Sequence, residues 1–85
     1  MLITFEENGF ADYIYWQKND LKIVDKINSL LKSISRDGAM KGEGKPEKLK
    51  NRQGVYSRRI DLKNRLVYKY SNETVVIVAC KGHYE

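Results

Sequence analysis

The stretch that decides the fold is VYSRRIDLKNRLVYKYSNETVVIVACK, residues 55–81. It contains three segments rich in β-branched and aromatic residues, joined through the polar connections DLKN and SNE: VYSRRIDL (55–62), RLVYKYS (65–71) and TVVIVACK (74–81). This composition predicts three strands with hairpin-like connections. The third segment is a nearly continuous apolar run, which is typical of a strand in the centre of a sheet.

Upstream of these strands, the sequence predicts one short strand, LITF (2–5), and two helices, over residues 6–20 and 21–38. The apolar residues of both helical segments recur at helical spacing: Phe10, Tyr13 and Ile14 in the first, and Val24, Ile27, Leu30 or Leu31, and Ile34 in the second. Asp20 is expected to cap the second helix, and Gly38 to end it. A connection this close predicts an antiparallel helix pair.

Residues 38–54 are predicted to form a loop, with or without a short strand, because they contain four glycines and the only proline. The element order is therefore β-α-α-β-β-β. It predicts a single α+β domain over residues 1–85, with the two helices on one face of a mostly antiparallel sheet. The other face of the sheet is left for function.

The composition excludes several classes of protein. No segment reaches the roughly 18 apolar residues of a membrane span, and the N-terminus does not resemble a signal peptide, so a cytoplasmic protein is expected. The single cysteine, Cys80, lies in an apolar run and is expected to be a buried structural thiol. We expect no metal ligands or cofactor, because the sequence lacks the His/Cys spacing and the carboxylate cluster of a metal nuclease.

The charge is uneven along the chain. The net charge is +5; residues 1–40 have five Lys/Arg and six Asp/Glu (−1), whereas residues 41–85 have eleven and five (+6). A basic half favours a polyanionic partner such as nucleic acid, although basic residues on a protein surface also serve solubility.

Alternation along the second and third of the four predicted strands assigns side chains to the two faces of the sheet. The apolar residues suit the helix side: Tyr56, Ile60, Leu62, Leu66, Tyr68 and Tyr70. Arg59, Arg65 and Lys69 are then left for the open face. A connection with an odd number of residues would place Arg59 and Arg65 on one face, and an even number on opposite faces. The sequence does not fix that length, and ordinary surface charges remain an alternative.

His83 is the only histidine and follows the last predicted strand. Together with the two arginines and the lysines of the loop, Lys45, Lys48 and Lys50, it would suit cleavage of an RNA phosphodiester. In that chemistry a loop glutamate can serve as base and histidine as acid, while arginine binds two phosphate oxygens at once. The alternative is an exposed imidazole on a polar tail.

Six blocks of the sequence resemble, in order and spacing, the YoeB toxins of the RelE superfamily, which are ribonucleases of bacterial toxin–antitoxin systems. The blocks are DYIYWQ (12–17), KIVDKINSLLK (22–32), GEGKPEKLK (42–50), YSRRID (56–61), NRLVYKY (64–70) and HY (83–84). The resemblance runs nearly from end to end. It implies a RelE-like fold and an endoribonuclease that cuts mRNA in the ribosomal A site, leaving a 2′,3′-cyclic phosphate and a 5′-OH.

The resemblance also implies roles for individual residues. Glu47 is expected to be the general base, His83 the general acid, and Arg65 the residue that binds the scissile phosphate. The remaining site residues are expected to bind or orient the substrate: Lys45, Lys50, Arg59 and Tyr84. A YefM-like antitoxin that wraps the toxin and a toxin homodimer are the implied protein partners, besides mRNA and the ribosome.

The sequence departs from the family pattern at Lys48, where the family has proline, and at Glu85, which extends the chain past the tyrosine. A module that inhibits translation by occupying RNA or the ribosome without cleaving it is the main alternative. A DNA-binding repressor is disfavoured, because the second helix lacks helix-turn-helix spacing. Trp16 is expected to make core or dimer contacts rather than to stack on a base.

Overall fold

The computed structural model describes residues 1–82, so the predictions for His83, Tyr84 and Glu85 lie outside the described residues. Residues 1–82 form seven elements. They are β1 (Leu2–Phe5), α1 (Glu7–Asn19), α2 (Leu21–Asp37), β2 (Glu47–Lys48), β3 (Val55–Arg59), β4 (Arg65–Ser71) and β5 (Thr74–Ala79). The α+β class and the predicted order of elements are confirmed, and β2 is a short strand within the loop that precedes β3.

The two helices are separated by one residue, Asp20, which caps α2 by accepting a hydrogen bond at 3.1 Å from the backbone N–H of Lys22. At the other end of α2, Gly38 has φ = 95° and its N–H donates to the carbonyl of Ile34. The predicted start and stop of α2 are therefore confirmed. Its buried stripe faces the sheet: Val24, Ile27, Leu30, Leu31, Ser33 and Ile34.

The five strands form one sheet in the order β1-β5-β4-β3-β2. Among these strands only the β1–β5 pair is parallel, and both helices and the strands β2–β4 separate its two members in the sequence. The apolar strand β5 is an interior strand between β1 and β4, but the middle strand is β4. Two predicted strands were too long, since β3 ends at Arg59 and β5 ends at Ala79.

The main hydrophobic core lies between the helices and the sheet. On the sheet side it includes Leu66 and Tyr68 of β4 and Ile60, which directly follows β3, with Tyr56 and Tyr70 packed against them, so these five predicted helix-side residues are confirmed. The sixth was wrong: Leu62 is 87% exposed. Leu62 lies in the turn after β3, where the Asp61 carboxylate accepts hydrogen bonds from the backbone N–H groups of Lys63 and Asn64, so strand alternation no longer applies.

A second, smaller cluster lies on the opposite face of the sheet and consists of Leu49, Val55, Val67 and Ala79. That face is therefore partly covered by the segment after β2.

Cys80 is fully buried in the main core, as predicted, and burial raises the pKa of its thiol to about 12. Within residues 1–82, neither helix is long and apolar enough to cross a membrane.

Candidate functional site

The register of β3 and β4 places Arg59 and Arg65 on the same face of the sheet. The two residues lie directly opposite each other in the antiparallel pair, and the five residues 60–64 connect them. Directly paired residues project to the same side, so the odd-numbered alternative holds. Both arginines lie on the face opposite the helices, where Val55 and Val67 also point.

The short strand β2 brings Glu47 to this face as well. Glu47 pairs with Ser57 of β3, and Ser57 shares the face of Arg59 because the two are two positions apart along the strand. The Glu47 side chain is exposed. Lys48 pairs with Tyr56 and belongs to the other side, so the residue that replaces the family proline does not share the face of Glu47. Three neighbouring strands thus present one carboxylate and two guanidinium groups together.

Arg65 is the unusual member of this set, because it is only 5% exposed. Its Nε donates to the Ser57 hydroxyl at 3.0 Å, whereas its Nη2 is buried and has no hydrogen-bond partner among residues 1–82. A buried charged donor without a partner costs free energy. A phosphate oxygen is the kind of acceptor that would satisfy it.

The predicted basic residues around the site are exposed. Arg59, Lys45 and Lys50 all lie at the surface, and Lys45 adopts a left-handed backbone conformation with φ = 51°. Lys69, predicted for the open face, pairs with Val55 and Val76 there and forms a 2.7 Å salt bridge with Glu6. The structure therefore gathers Glu47, Arg59 and Arg65, with the two loop lysines on the segment that carries Glu47.

One important residue was missed by the sequence analysis. Arg58 is fully buried on the helix side of β3, between Tyr56 and Ile60 in the alternation. Its guanidinium group donates five hydrogen bonds of 2.7–3.0 Å to uncharged acceptors: the hydroxyls of Tyr68 and Ser33 and the carbonyls of Glu43, Gly38 and Lys41. Strand parity could have revealed it, since Arg58 has the parity of the core residues on either side.

Arg58 fixes residues 38–44, the segment that leads to the site. The Tyr68 hydroxyl donates to the carbonyl of Ala39 at 2.6 Å, and the N–H of Arg59 donates to the carbonyl of Gly44 at 2.7 Å. Gly44 has φ = 89°, a backbone conformation that favours glycine, and a Cβ there would also lie 2.7 Å from a methyl carbon of Leu30 and 3.1 Å from the Cβ of Arg58. Hydrogen bonds from Lys26 and Ser29 hold the pKa of the Glu43 carboxyl below its usual value.

The chain after β5 returns to the site. The N–H of Arg65 donates to the carbonyl of Gly82, and the N–H of Gly82 donates to the Asn64 side chain, both at 2.9 Å. Residues 83 and 84, the predicted acid and its neighbour, follow directly in the sequence and lie outside the described part of the chain.

Trp16 packs against the main core, which confirms the expected core contact.

Comparison with known proteins identifies the family. The family model described as YoeB-like toxin of bacterial type II toxin-antitoxin system matches residues 5–84. A toxin YoeB from Streptomyces coelicolor is 47% identical over 99% of this chain and 100% of its own length.

Solved structures agree with this match. The YoeB dimer from Staphylococcus aureus is 55% identical, with a TM-score of 0.95 over 99% of this chain and 98% of the other. The YoeB–YefM complex from the same organism is 55% identical, with a TM-score of 0.91 over 99% of both chains. This end-to-end similarity in sequence and fold shows that the chain belongs to the YoeB-like toxins of bacterial type II toxin–antitoxin systems.

Proposed function

We propose that this toxin is a ribosome-dependent endoribonuclease that cleaves mRNA in the ribosomal A site without a metal ion. The observation that carries the proposal is the face shared by Glu47, Arg59 and Arg65, on which the buried Nη2 of Arg65 has no partner among the described residues. A base and two cations of this type suit attack by a ribose 2′-OH on the adjacent phosphate.

In the proposed reaction, Glu47 removes the proton of the 2′-OH, and the 2′-oxygen forms a bond to phosphorus. The bond between phosphorus and the 5′-oxygen breaks, and His83 donates a proton to that oxygen. The products are a 2′,3′-cyclic phosphate and a 5′-OH. The exposure of Glu47 leaves its carboxylate accessible to a ribose on the surface of the sheet.

Arg65 would bind the scissile phosphate through Nη2 while its Nε stays anchored to Ser57, so the guanidinium is oriented before the substrate arrives. Arg59, Lys45 and Lys50 would bind the neighbouring phosphates, and Tyr84 would orient the substrate. The exposed cations supply attraction to RNA that decreases with salt concentration, whereas the contact with buried Arg65 supplies transition-state stabilisation.

The proposed partners follow from the relatives. The Staphylococcus aureus YoeB is described as a dimer and as a complex with YefM. We propose a YefM-like antitoxin for this toxin, and a homodimer in its absence. Action on ribosomes implies a cytoplasmic protein.

Primer extension on mRNA bound in ribosomes tests the proposal. Wild-type protein should produce a break within the A-site codon, and His83→Gln should lower the single-turnover rate by about 10² or more, as for a lost general acid. An mRNA with 2′-deoxyribose at the cut position should remain intact because it lacks the nucleophile. Stalled ribosomes carrying uncut mRNA would instead identify an inhibitor that acts by occupancy.

A phosphorothioate substrate tests the absence of a metal from the reaction while the ribosomes keep their magnesium. Sulfur in place of a non-bridging phosphate oxygen weakens binding of Mg²⁺, and softer ions restore it in metal-dependent nucleases. Under our proposal, the addition of Mn²⁺ does not change the cleavage rate of the thio-substituted mRNA. Rescue by Mn²⁺ would contradict the mechanism.

A further inference from the structure

The segment Cys80–Gly82, which follows β5, has an unusual set of hydrogen bonds. Both backbone groups of Cys80 are bound by side chains of α1: its N–H donates to the Asp12 carboxylate at 3.0 Å, and its carbonyl accepts from the Trp16 indole at 2.8 Å. Both backbone groups of Gly82 are bound by the β3–β4 hairpin, through the Asn64 side chain and the N–H of Arg65. Two separate elements therefore bind this segment from two sides.

The backbone conformation of Gly82 and the side chain of Lys81 restrain the segment further. Gly82 has φ = 91°, which L-residues rarely adopt, although a Cβ at this position would meet no atom within 4 Å. Glycine is needed here for the backbone conformation rather than for space. The Lys81 ammonium lies 4.7 Å from the centre of the Tyr15 ring, which adds a third contact with α1.

Segments without secondary structure of their own often fray unless specific contacts bind them, and Cys80–Gly82 has such contacts. Hydrogen bonds to backbone groups fix the orientation of the peptide units of Cys80 and Gly82. The next residue in the sequence is His83. A general acid works only within about 2.6–3.2 Å of the oxygen that it protonates, so its placement governs the rate.

We propose that Asp12, Trp16 and Asn64, which we call the tail clamp, are positioning residues that act through the backbone of Cys80 and Gly82 on the acid step assigned to His83, the next residue in the sequence. The inference rests on the proposed function, because it takes His83 as the acid. This role of α1 in the site is additional to its packing on the core, and it does not follow from family membership. None of the three residues needs to contact the substrate.

Two substitutions separate the hydrogen bonds of the clamp from the packing of α1. Trp16→Phe removes the indole donor and keeps an aromatic ring against the core, and Asp12→Ala removes the acceptor of the Cys80 N–H. Asp12→Asn is the conservative variant, because its amide oxygen can still accept. The matched control is Tyr13→Phe, which removes a 2.8 Å hydrogen bond from the same helix to Asn28 of α2 and leaves the clamp intact.

Single-turnover cleavage on ribosomes is measured for each variant with His83 present and in the His83→Gln background. We expect Trp16→Phe and Asp12→Ala to lower the rate by roughly 10-fold or more when His83 is present, since small misplacements of reacting groups have effects of this size. Tyr13→Phe should not lower the rate, and Asp12→Asn should retain most of it. In the His83→Gln background the clamp substitutions should have no effect, because the residue they position is gone.

Amide hydrogen exchange supplies a readout that does not depend on cleavage. Loss of the α1 contacts should make the Gly82 amide exchange roughly 10-fold faster or more, whereas Tyr13→Phe should leave it unchanged. Equal rate losses with and without His83, no rate loss, or unaltered Gly82 exchange would each overturn the inference while the wild type still cleaves. If the wild-type protein does not cleave at all, the proposed function itself fails, and the inference fails with it.

Discussion

Arg58 and Arg65 lie on adjacent strands and are both buried, yet their guanidinium groups have opposite surroundings. On the helix side of the sheet, Arg58 donates five hydrogen bonds of 2.7–3.0 Å, three of them to carbonyls of the segment after α2. Those carbonyls include Gly38, at the negative end of the helix dipole, so backbone dipoles stabilise the buried cation, and the nearby Asp37 carboxylate adds a Coulombic attraction. On the open face, Arg65 has its Nε bound and its Nη2 without a partner among residues 1–82.

The difference separates an arginine that builds the fold from one that is available to a ligand. A buried guanidinium whose donors are all satisfied by the protein stabilises the structure around it. One that keeps a buried donor unpaired has a free-energy cost that an anionic ligand would relieve. Substitutions at the two positions should therefore affect different properties of the toxin.

Arg58→Met should have the largest effect on stability. It removes the donor for the hydroxyls of Tyr68 and Ser33 and for three partly buried carbonyls, and we expect the free energy of unfolding to fall by about 3 kcal/mol or more. Urea denaturation measures this. The control is Arg59→Met on the exposed neighbour, with an expected change within about 0.5 kcal/mol. Equal losses for the two variants would show that Arg58 does not anchor residues 38–44.

Arg65→Met should have the opposite pattern of effects, with a large loss of cleavage activity and a small change in stability. Loss of the phosphate ligand is expected to lower single-turnover cleavage by about 10² or more. The free energy of unfolding should change by less than about 1 kcal/mol, because the substitution also removes an unpaired buried donor. Cleavage assays on ribosomes check the expected loss of activity, and urea denaturation checks the expected change in stability. A destabilisation as large as that of Arg58→Met would mean that Arg65 is fully satisfied by the protein.

Tyr68→Phe sharpens the comparison within the Arg58 network. The Tyr68 hydroxyl accepts from Arg58 at 2.9 Å and donates to Ala39 at 2.6 Å, so its removal takes away the acceptor of the buried Arg58 Nε and leaves the Ala39 carbonyl with a longer, 3.5 Å hydrogen bond from Arg58 Nη2. We expect a loss of about 1–2 kcal/mol in the free energy of unfolding. Tyr56→Phe is the control, since Tyr56 stacks on Tyr68 but is only partly buried, and it should lose less than about 0.5 kcal/mol.

Glu43→Gln should have the smallest effect, and its effect should depend on pH. The folded pKa of Glu43 lies below its usual value of 4.5, so the carboxylate stabilises the fold above that pH and loses this contribution as pH falls through the folded pKa. Its side chain is 35% exposed, which limits the contribution to less than about 1 kcal/mol. The urea midpoints of wild type and variant should differ at about pH 7 and become equal at about pH 3. A constant separation would contradict the assignment.

Much of the fold could be predicted because it depends on local patterns. The repeat from Val24 to Ile34 and the flanking Asp20 and Gly38 define α2 by periodicity and capping alone. The helix-side residues of β3 and β4 followed from alternation until β3 ended. Leu62 was misplaced because the Asp61 turn stops the strand, and turn geometry overrides alternation.

For the site, the sequence by itself determined which residue types were available and, through the family resemblance, which roles to expect of Glu47, Arg65 and His83. Tertiary structure alone decided that Arg59 and Arg65 share a face, because this depends on how many residues the hairpin uses and on which backbone groups pair. It also decided that adjacent arginines differ, with Arg58 in the core and Arg59 at the surface. The physical reason is that register and burial are set by contacts between residues distant in sequence, such as those of Arg58 with Gly38 and of Trp16 with Cys80.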